Sequence, residues 1–313
     1  MMVHPPPDNP GAPFWRLPEA VREALACPQC GGALAAVSPG LECGDCKSTF
    51  DDTLDGNVDL RIRTPKSYRV EFQVGGDLVP PGFQFAPIEP RLDPEVDLSQ
   101  IKPPWHLSRP LMTYFPRASS SRSIALDLGC GTGLHREVCE RAGFQWAGLD
   151  YGNPLAPMLG DGHALPFRSD SVEFVLSLAV LEHIRHPSVV AHEVVRVLRP
   201  GGYYIGTVSF LEPFHGDSYY HHTHLGTYNT LQSAGLEIIR IGPTPEWSGL
   251  RAQATMSLFP RLPEPLAAAL VWPTEAAHRL WWWAGRMFSR TATESLRRLS
   301  NAGSFEFVAR KRT

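Results

Sequence analysis

Three glycines and an acid set behind a short apolar run constrain this chain more than any other feature in it. SIALDLGCGTG (123–133) reads as a buried strand ending in a glycine loop, LHREVCERAG (134–143) as a helix closed by Gly143, and FQWAGLD (144–150) as a second strand ending in an acid. Strand, crossover helix and parallel strand form a βαβ unit, which places the chain in the α/β class. The glycines fall as Gly129-x-Gly131-x-Gly133, one residue tighter than the spacing of dinucleotide sites, and Asp127 precedes the first by two positions. A carboxylate there repels phosphate but accepts hydrogen bonds, directly or through water, from a cationic amino-acid head. The ligand this pattern calls for is a zwitterion joined to a nucleoside.

Size and charge narrow the rest. A chain of 313 residues buries a sizeable core without cross-links. With 43% hydrophobic and 19% charged residues and a formal net charge of -3, it lacks the basic excess of an electrostatic nucleic-acid binder, so nucleic acid is disfavoured as a partner. No apolar run reaches the roughly 18 residues that span a bilayer. MMVHPPPDNPGAP has neither the basic nor the apolar region of a signal peptide, and a cytoplasmic chain is expected.

Four of the six cysteines, Cys27, Cys30, Cys43 and Cys46, make two Cys-x-x-Cys pairs with twelve residues between them. Each pair fits a tight knuckle, for which CPQCGG and CGDC supply glycine, and two knuckles complete a tetrahedral four-thiolate shell for Zn²⁺. Four thiolates leave zinc no open position, so the expected role is folding or docking. The stretch 25–61 resembles the small zinc-ribbon proteins that activate tRNA and protein methyltransferases, which implies a protein partner for this module. The expected organisation is a disordered leader (1–24), a zinc ribbon (25–63), a proline-rich linker that packs on the next domain (64–110) and a large domain (111–313), with zinc and cofactor sites in separate units.

From about 122 to 240 the sequence resembles the class I S-adenosylmethionine-dependent methyltransferases of the type 11 kind. LDLGCGTG matches the first motif, in which Asp127, Gly129, Gly131 and Gly133 face the cofactor. Asp150, with Tyr151 next to it, takes the place of the acid that binds both ribose hydroxyls. GDGHALPF resembles the adenine segment, with Asp161 accepting from the amino group and Gly162 against the ring edge. VEFVLSLAVLEHI looks like the fourth strand and its exit loop, with Leu178 beside the methionine end, and EVVRVLRPGGYYIGTV like the helix, turn and fifth strand that follow. The resemblance implies a Rossmann-like, seven-stranded methyltransferase sheet with S-adenosylmethionine as cofactor and structural Zn²⁺ in the ribbon.

Acceptor information is sparser, because this fold serves many acceptors. Transfer to oxygen needs a base, and histidine is the natural one near neutral pH. His215, with Asp217 near it, and His183 at the end of the fourth strand are the candidates. FLEPFHGD…THLGTYNTLQSAGLE resembles methyltransferases of glycan, lipid and secondary-metabolite pathways, so the expected acceptor is a small molecule, a glycan or a lipid-linked group, methylated at oxygen. The alternatives are an rRNA or tRNA base methyltransferase and a noncatalytic scaffold that keeps the cofactor fold. Between the last two strands about 55 residues replace a hairpin, and a helical insertion is expected over 250–300. In EAAHRLWWWAGRMFSR (275–290), Ala276, Leu280, Trp283, Ala284 and Met287 share one helical face, with Arg279, Arg286 and Arg290 interspersed. That face is expected to turn inward, as packing or as a substrate lid, ahead of peripheral membrane contact through 275–290.

Overall fold

The computed structural model describes residues 13–37, 40–72, 75, 79–289 and 293–313. Two short helices, α1 (Pro13–Arg16) and α2 (Glu19–Ala24), stand where a disordered leader was expected, which corrects that reading for 13–24; residues 1–12 lie outside the described residues. The cause is hydrophobic. Phe14, Leu17, Ala20, Val21 and Ala24 recur at helical spacing and are buried in the main core.

The cysteine module is an antiparallel sheet of β1 (Leu34–Val37), β2 (Gly40–Cys43) and β3 (Thr49–Phe50). Its continuation β4 (Val58–Asp59) leaves that sheet and joins the large one. There β5 (Ile124–Leu128) is buried at every residue and pairs in parallel with β6 (Gln145–Asp150) and β8 (Val172–Leu178). Outward on one side run β7 (Met158–Leu159) and β4; on the other run β9 (Leu198–Ser209), β11 (Ser304–Lys311) and β10 (Leu236–Pro243). The order β10-β11-β9-β8-β5-β6-β7-β4 makes eight strands among the described residues rather than seven, the added one being β4. It lies parallel to β7, with Val58 opposite Met158 and Asp59 opposite Leu159.

That edge strand removes the boundary between the two expected units. Val58 and Leu60 are fully buried, and the Asn57 amide donates to the carbonyls of Pro154 and Ala156. Cys27, Leu41, Cys43 and Phe50 share one apolar cluster with Ile124, Leu126 and Phe167. Burying two large aliphatic side chains at the seam is worth about 3–6 kcal/mol, so ribbon and sheet are energetically one body.

Between 79 and 107 the chain straps across the sheet. Phe83 and Phe85 pack edge-on against Tyr228 of α6 (His224–Ser233), Ile88, Val96, Leu98 and Leu107 are buried, and the Tyr114 hydroxyl donates to the Glu89 carbonyl. The strap passes so close to β10 that a Cβ on Gly242 would lie 2.0 Å from the Ala86 carbonyl oxygen. The short helix α3 (Arg109–Met112) then leads into β5; α4 (Arg136–Arg141) and α5 (Pro187–Val197) are the crossovers.

The insertion between β10 and β11 holds α7 (Gly249–Gln253), a π-turn (Ala254–Leu258), α8 (Glu264–Gly285) and α9 (Glu294–Ser300). The expected inward face of α8 is corrected. Leu280, Trp283 and Met287 are exposed, as are Leu266, Leu270, Trp272, Trp281 and Phe288, while Arg290 lies outside the described residues. The buried stripe is the small pair Ala267 and Val271, packed against Leu250 and Phe259. Farther along, the inward positions are polar: Glu275 accepts from the Ser248 hydroxyl, and Glu275 and His278 face a cavity. Polar groups thus take the protein side because they have partners there.

Candidate active site

The glycine loop after β5 has three left-handed residues, Gly129 (φ 71°), Gly131 (φ 52°) and Gly133 (φ 81°). At Gly129 a Cβ would also strike Val180 at 2.4 Å, so this turn admits no side chain. Its amides are pinned to the neighbouring strand, with Gly129 N–H donating to Leu149 O at 2.8 Å. The loop brings Asp150 into contact with it: Gly131 N–H donates to Asp150 Oδ2 at 3.0 Å, and Gly152 and Asn153 N–H donate to Oδ1 at 3.0 and 2.9 Å. Three of about four lone-pair directions are used, which leaves one open to a further donor.

Asp127 is 1% exposed and accepts from Trp146 Nε1 at 3.1 Å; His135 Nδ1 lies 3.9 Å from it. Burial raises its carboxyl above the usual range, partly offset by His135 and Trp146. A cationic head group placed here would meet Asp127 through its neighbours or water. The sequence reading missed both neighbours. The signal for Trp146 is Gly148 two residues on, where a Cβ would lie 2.4 Å from the indole ring.

Asp161 caps the 3-10 turn Gly162–Ala164, accepting from His163 N–H at 2.9 Å and facing His163 Nδ1 at 2.6 Å. His186 N–H donates to His163 Nε2 at 3.1 Å, which leaves the proton on Nδ1, shared with Asp161. Burial alone would raise this carboxyl, but the His163 hydrogen bonds hold it below its usual value. Gly162 and Leu178 are buried. Tyr151 is 66% exposed, its ring 6.0 Å from the guanidinium of Arg61. Arg61 pairs with the buried Asp59 of β4 at 2.7 Å, so the strand from the cysteine module borders this end of the site. Acid acceptors at Asp150 and Asp161 flanking a bare backbone loop fit a nucleoside with an amino-acid tail.

His183 and His215 are brought together at the ends of β8 and β9, ring centroids 5.3 Å apart. Burial lowers the His183 basicity, and the nearby His215 adds to that. The carboxylate beside His215 is Glu212, 3.7 Å from Nε2, whereas Asp217 sits exposed at a left-handed loop position (φ 56°). Glu182, adjacent to His183, is fully buried; burial pushes it up to about 7, against the pull of Ser209. A cavity of about 240 Å³ opens here, lined by Ala179, Thr207, Ser209 and Glu212, and Glu212 also lines a larger one of about 1120 Å³ beneath α8 and α9. Ala179 holds φ 54° with its N–H donated to Thr207 Oγ1 at 2.9 Å, a strained non-glycine at the end of the fourth strand of the expected motif.

The four cysteine sulfurs converge within 4.8 Å of one another, with Cys27–Cys46 at 3.7 Å and Cys30–Cys43 at 3.5 Å. Tetrahedral zinc with bonds of about 2.3 Å spaces its sulfurs by about 3.8 Å, so the donor set fits a closed structural ion.

Residues 126–206 match the family model described as a methyltransferase domain. An uncharacterized methyltransferase of Mycobacterium leprae is 34% identical over 107 residues, covering 30% of this chain and 40% of that protein. One of Mycobacterium marinum is 32% identical over 117 residues, covering 32% and 46%. The chain thus spans less than half the length of these relatives. Among solved structures, a chain of the complex between the Haloferax volcanii Trm112 methyltransferase activator and a methyltransferase aligns over 67% of this chain and 90% of its own, at 19% identity and TM-score 0.45. A Haemonchus contortus phosphoethanolamine N-methyltransferase in complex with S-adenosyl-L-methionine aligns over 64% and 50%, at 16% identity and TM-score 0.41. Over residues 126–206, the chain carries a methyltransferase domain.

Proposed function

We propose that this protein transfers a methyl group from S-adenosylmethionine to an oxygen of an apolar, lipid-linked acceptor held at a membrane surface. The cofactor half rests on the domain match together with the glycine loop, Asp150 and Asp161. Bound there, S-adenosylmethionine supplies an electrophilic methyl carbon. The chain's own task is to orient the acceptor in line and handle its proton. His215 and His183 stand at the strand ends for that role. His215 Nδ1 donates to the Pro213 carbonyl at 2.8 Å, which leaves the lone pair on Nε2, the side facing Glu212.

The observation that carries the acceptor class is the reversed amphipathy of α8. Its outer face presents Leu266, Leu270, Leu280, Trp281 and Trp283, with the exposed Trp272 and Arg279 at the rim of the cavity, Arg286 exposed at the C-terminal end, and no exposed acid between 264 and 289. Tryptophan with arginine suits the headgroup level of an anionic bilayer. Among the described residues no helix is long and apolar enough to cross a membrane. Beneath the same helix lies the large cavity that shares Glu212 with the strand-end pocket, which sets room for an acceptor next to this face.

The test is methyl transfer from labelled S-adenosylmethionine in the presence of vesicles carrying a bacterial lipid extract, with flotation of the protein measured in parallel. Label in an organic-extractable, base-resistant product and co-flotation with anionic vesicles are the expected outcomes. Label found in a water-soluble acceptor, or in RNA, would replace the lipid reading by the small-molecule or RNA one.

A further inference from the structure

At the end of β8, one donor atom each from Glu182, His183 and His215 lies within 4.8 Å of the other two. We propose that this trio binds a divalent transition-metal ion of the zinc class, a second metal site besides the four cysteines, with its open positions toward the acceptor pocket. Its place in catalysis rests on the function proposed above; the binding itself does not.

The donors are set as metal ligands are set. Glu182 and His183 follow one another in a single 3-10 turn (Leu181–His183), and His215 comes over them from the loop after β9. Glu182 Oε2 and His183 Nδ1 are buried with no hydrogen-bond partner, an arrangement that costs free energy unless something positive or protonated completes it. The outer contacts orient the inner atoms: Ser209 Oγ lies 2.6 Å from Glu182 Oε1, and the Pro213 carbonyl takes the Nδ1 proton of His215, freeing Nε2. Ser209 also contacts Glu212 Oε2 at 2.7 Å, and one hydroxyl hydrogen serves only one of these two carboxyls. A cation shared by the cluster removes that conflict.

Zinc-class ions sit about 2.0–2.2 Å from nitrogen and oxygen, which needs donors roughly 3–3.5 Å apart. Closing the trio takes a shift on the order of 1 Å by His215, whose loop turns at Gly216 (φ 49°), packed so closely on His183 that a Cβ there would lie 3.1 Å from its ring. Two imidazoles and one carboxylate favour a transition ion over Mg²⁺, and three protein ligands leave positions open, unlike the four-cysteine shell. With the ion bound, His183 and His215 serve as its ligands in place of acting as the base, and an acceptor hydroxyl taking an open position would lose its proton more readily, as metal-bound water does.

The probe is Co²⁺, titrated into the untagged, full-length chain with zinc already in the cysteine site. One further equivalent is expected, with weak visible bands and none of the intense thiolate absorption that Co²⁺ in the cysteine shell would give. In His215→Ala that equivalent should bind at least about tenfold more weakly while the cysteine-bound zinc stays; Glu182→Gln should do the same if it folds. Uptake of no further ion by the wild type, or unchanged uptake by His215→Ala, would overturn the site. A chain that binds the second ion but moves no methyl group contradicts only the function proposed above; one that moves methyl groups with no second ion contradicts only this site.

Discussion

Asp150 does two jobs with one carboxylate, and that sets what its removal should do. It holds the glycine loop through Gly131 and the following turn through Gly152 and Asn153, and in the function proposed above it is also the acceptor for the ribose. Asp150→Ala should therefore raise the S-adenosylmethionine dissociation constant at least about tenfold, since charged hydrogen bonds of roughly 1.5–3 kcal/mol each are lost; calorimetry reads this directly. His215 should separate from it cleanly. His215→Ala is expected to lower kcat on an oxygen acceptor by about 10² to 10⁴ with cofactor affinity nearly unchanged, because in the function proposed above the loop after β9 serves the acceptor. A loss in cofactor affinity instead would move His215 to the cofactor side. The acids and glycines of this site were legible because their chemistry is local: a loop that needs positive φ, and an acid at a strand end. Glu212 was not, since its approach to His215 depends on how the loop after β9 folds back, and Trp146 reaches Asp127 only because β5 and β6 lie side by side.

Two elements changed meaning between sequence and structure. The run 275–290 has the periodicity of an amphipathic helix, but periodicity does not say which face turns inward. Glu275 and His278 have polar surroundings at the cavity, so Trp281 and Trp283 are left outside. Replacing Trp281 and Trp283 by glutamate should weaken binding to anionic vesicles at least about tenfold while leaving thermal stability and cofactor affinity as they were. A drop in stability would mean that the face packs inside the protein. The cysteine spacing announced the ribbon, yet nothing in DGNVDLR told that Val58 and Asp59 would extend the sheet past β7; strand addition at an edge is a tertiary event. Because Arg61, anchored by Asp59, lies over Tyr151 next to Asp150, the ribbon and the proposed cofactor site are expected to be coupled. Cys43→Ser with Cys46→Ser should thus weaken S-adenosylmethionine binding by roughly 1 kcal/mol or more, about fivefold, besides abolishing zinc content. Unchanged affinity would restore the picture of independent units.

Across the whole molecule, one core runs from the ribbon to the last strand, and a buried charge within it makes stability depend on pH. Glu306 in β11 is fully buried with both oxygens lacking hydrogen-bond partners, and burial pushes it up to about 7. A carboxyl raised in the folded state from about 4.5 contributes most below pH 4.5, and the contribution is lost as pH rises through about 7. The stability difference between Glu306→Gln and the wild type should shift in favour of the variant by up to about 3 kcal/mol between pH 4 and pH 8. A pH-independent difference would show that Glu306 is ionised without cost. What joins all three scales is the claim that the β5 loop, Asp150 and Asp161, backed by the ribbon's edge strand, form one S-adenosylmethionine site. Titration of S-adenosylmethionine into the zinc-loaded chain by calorimetry tests it most directly: one equivalent bound per chain, with affinity lost in Asp150→Ala, is expected, and no binding to the zinc-loaded wild type would contradict it.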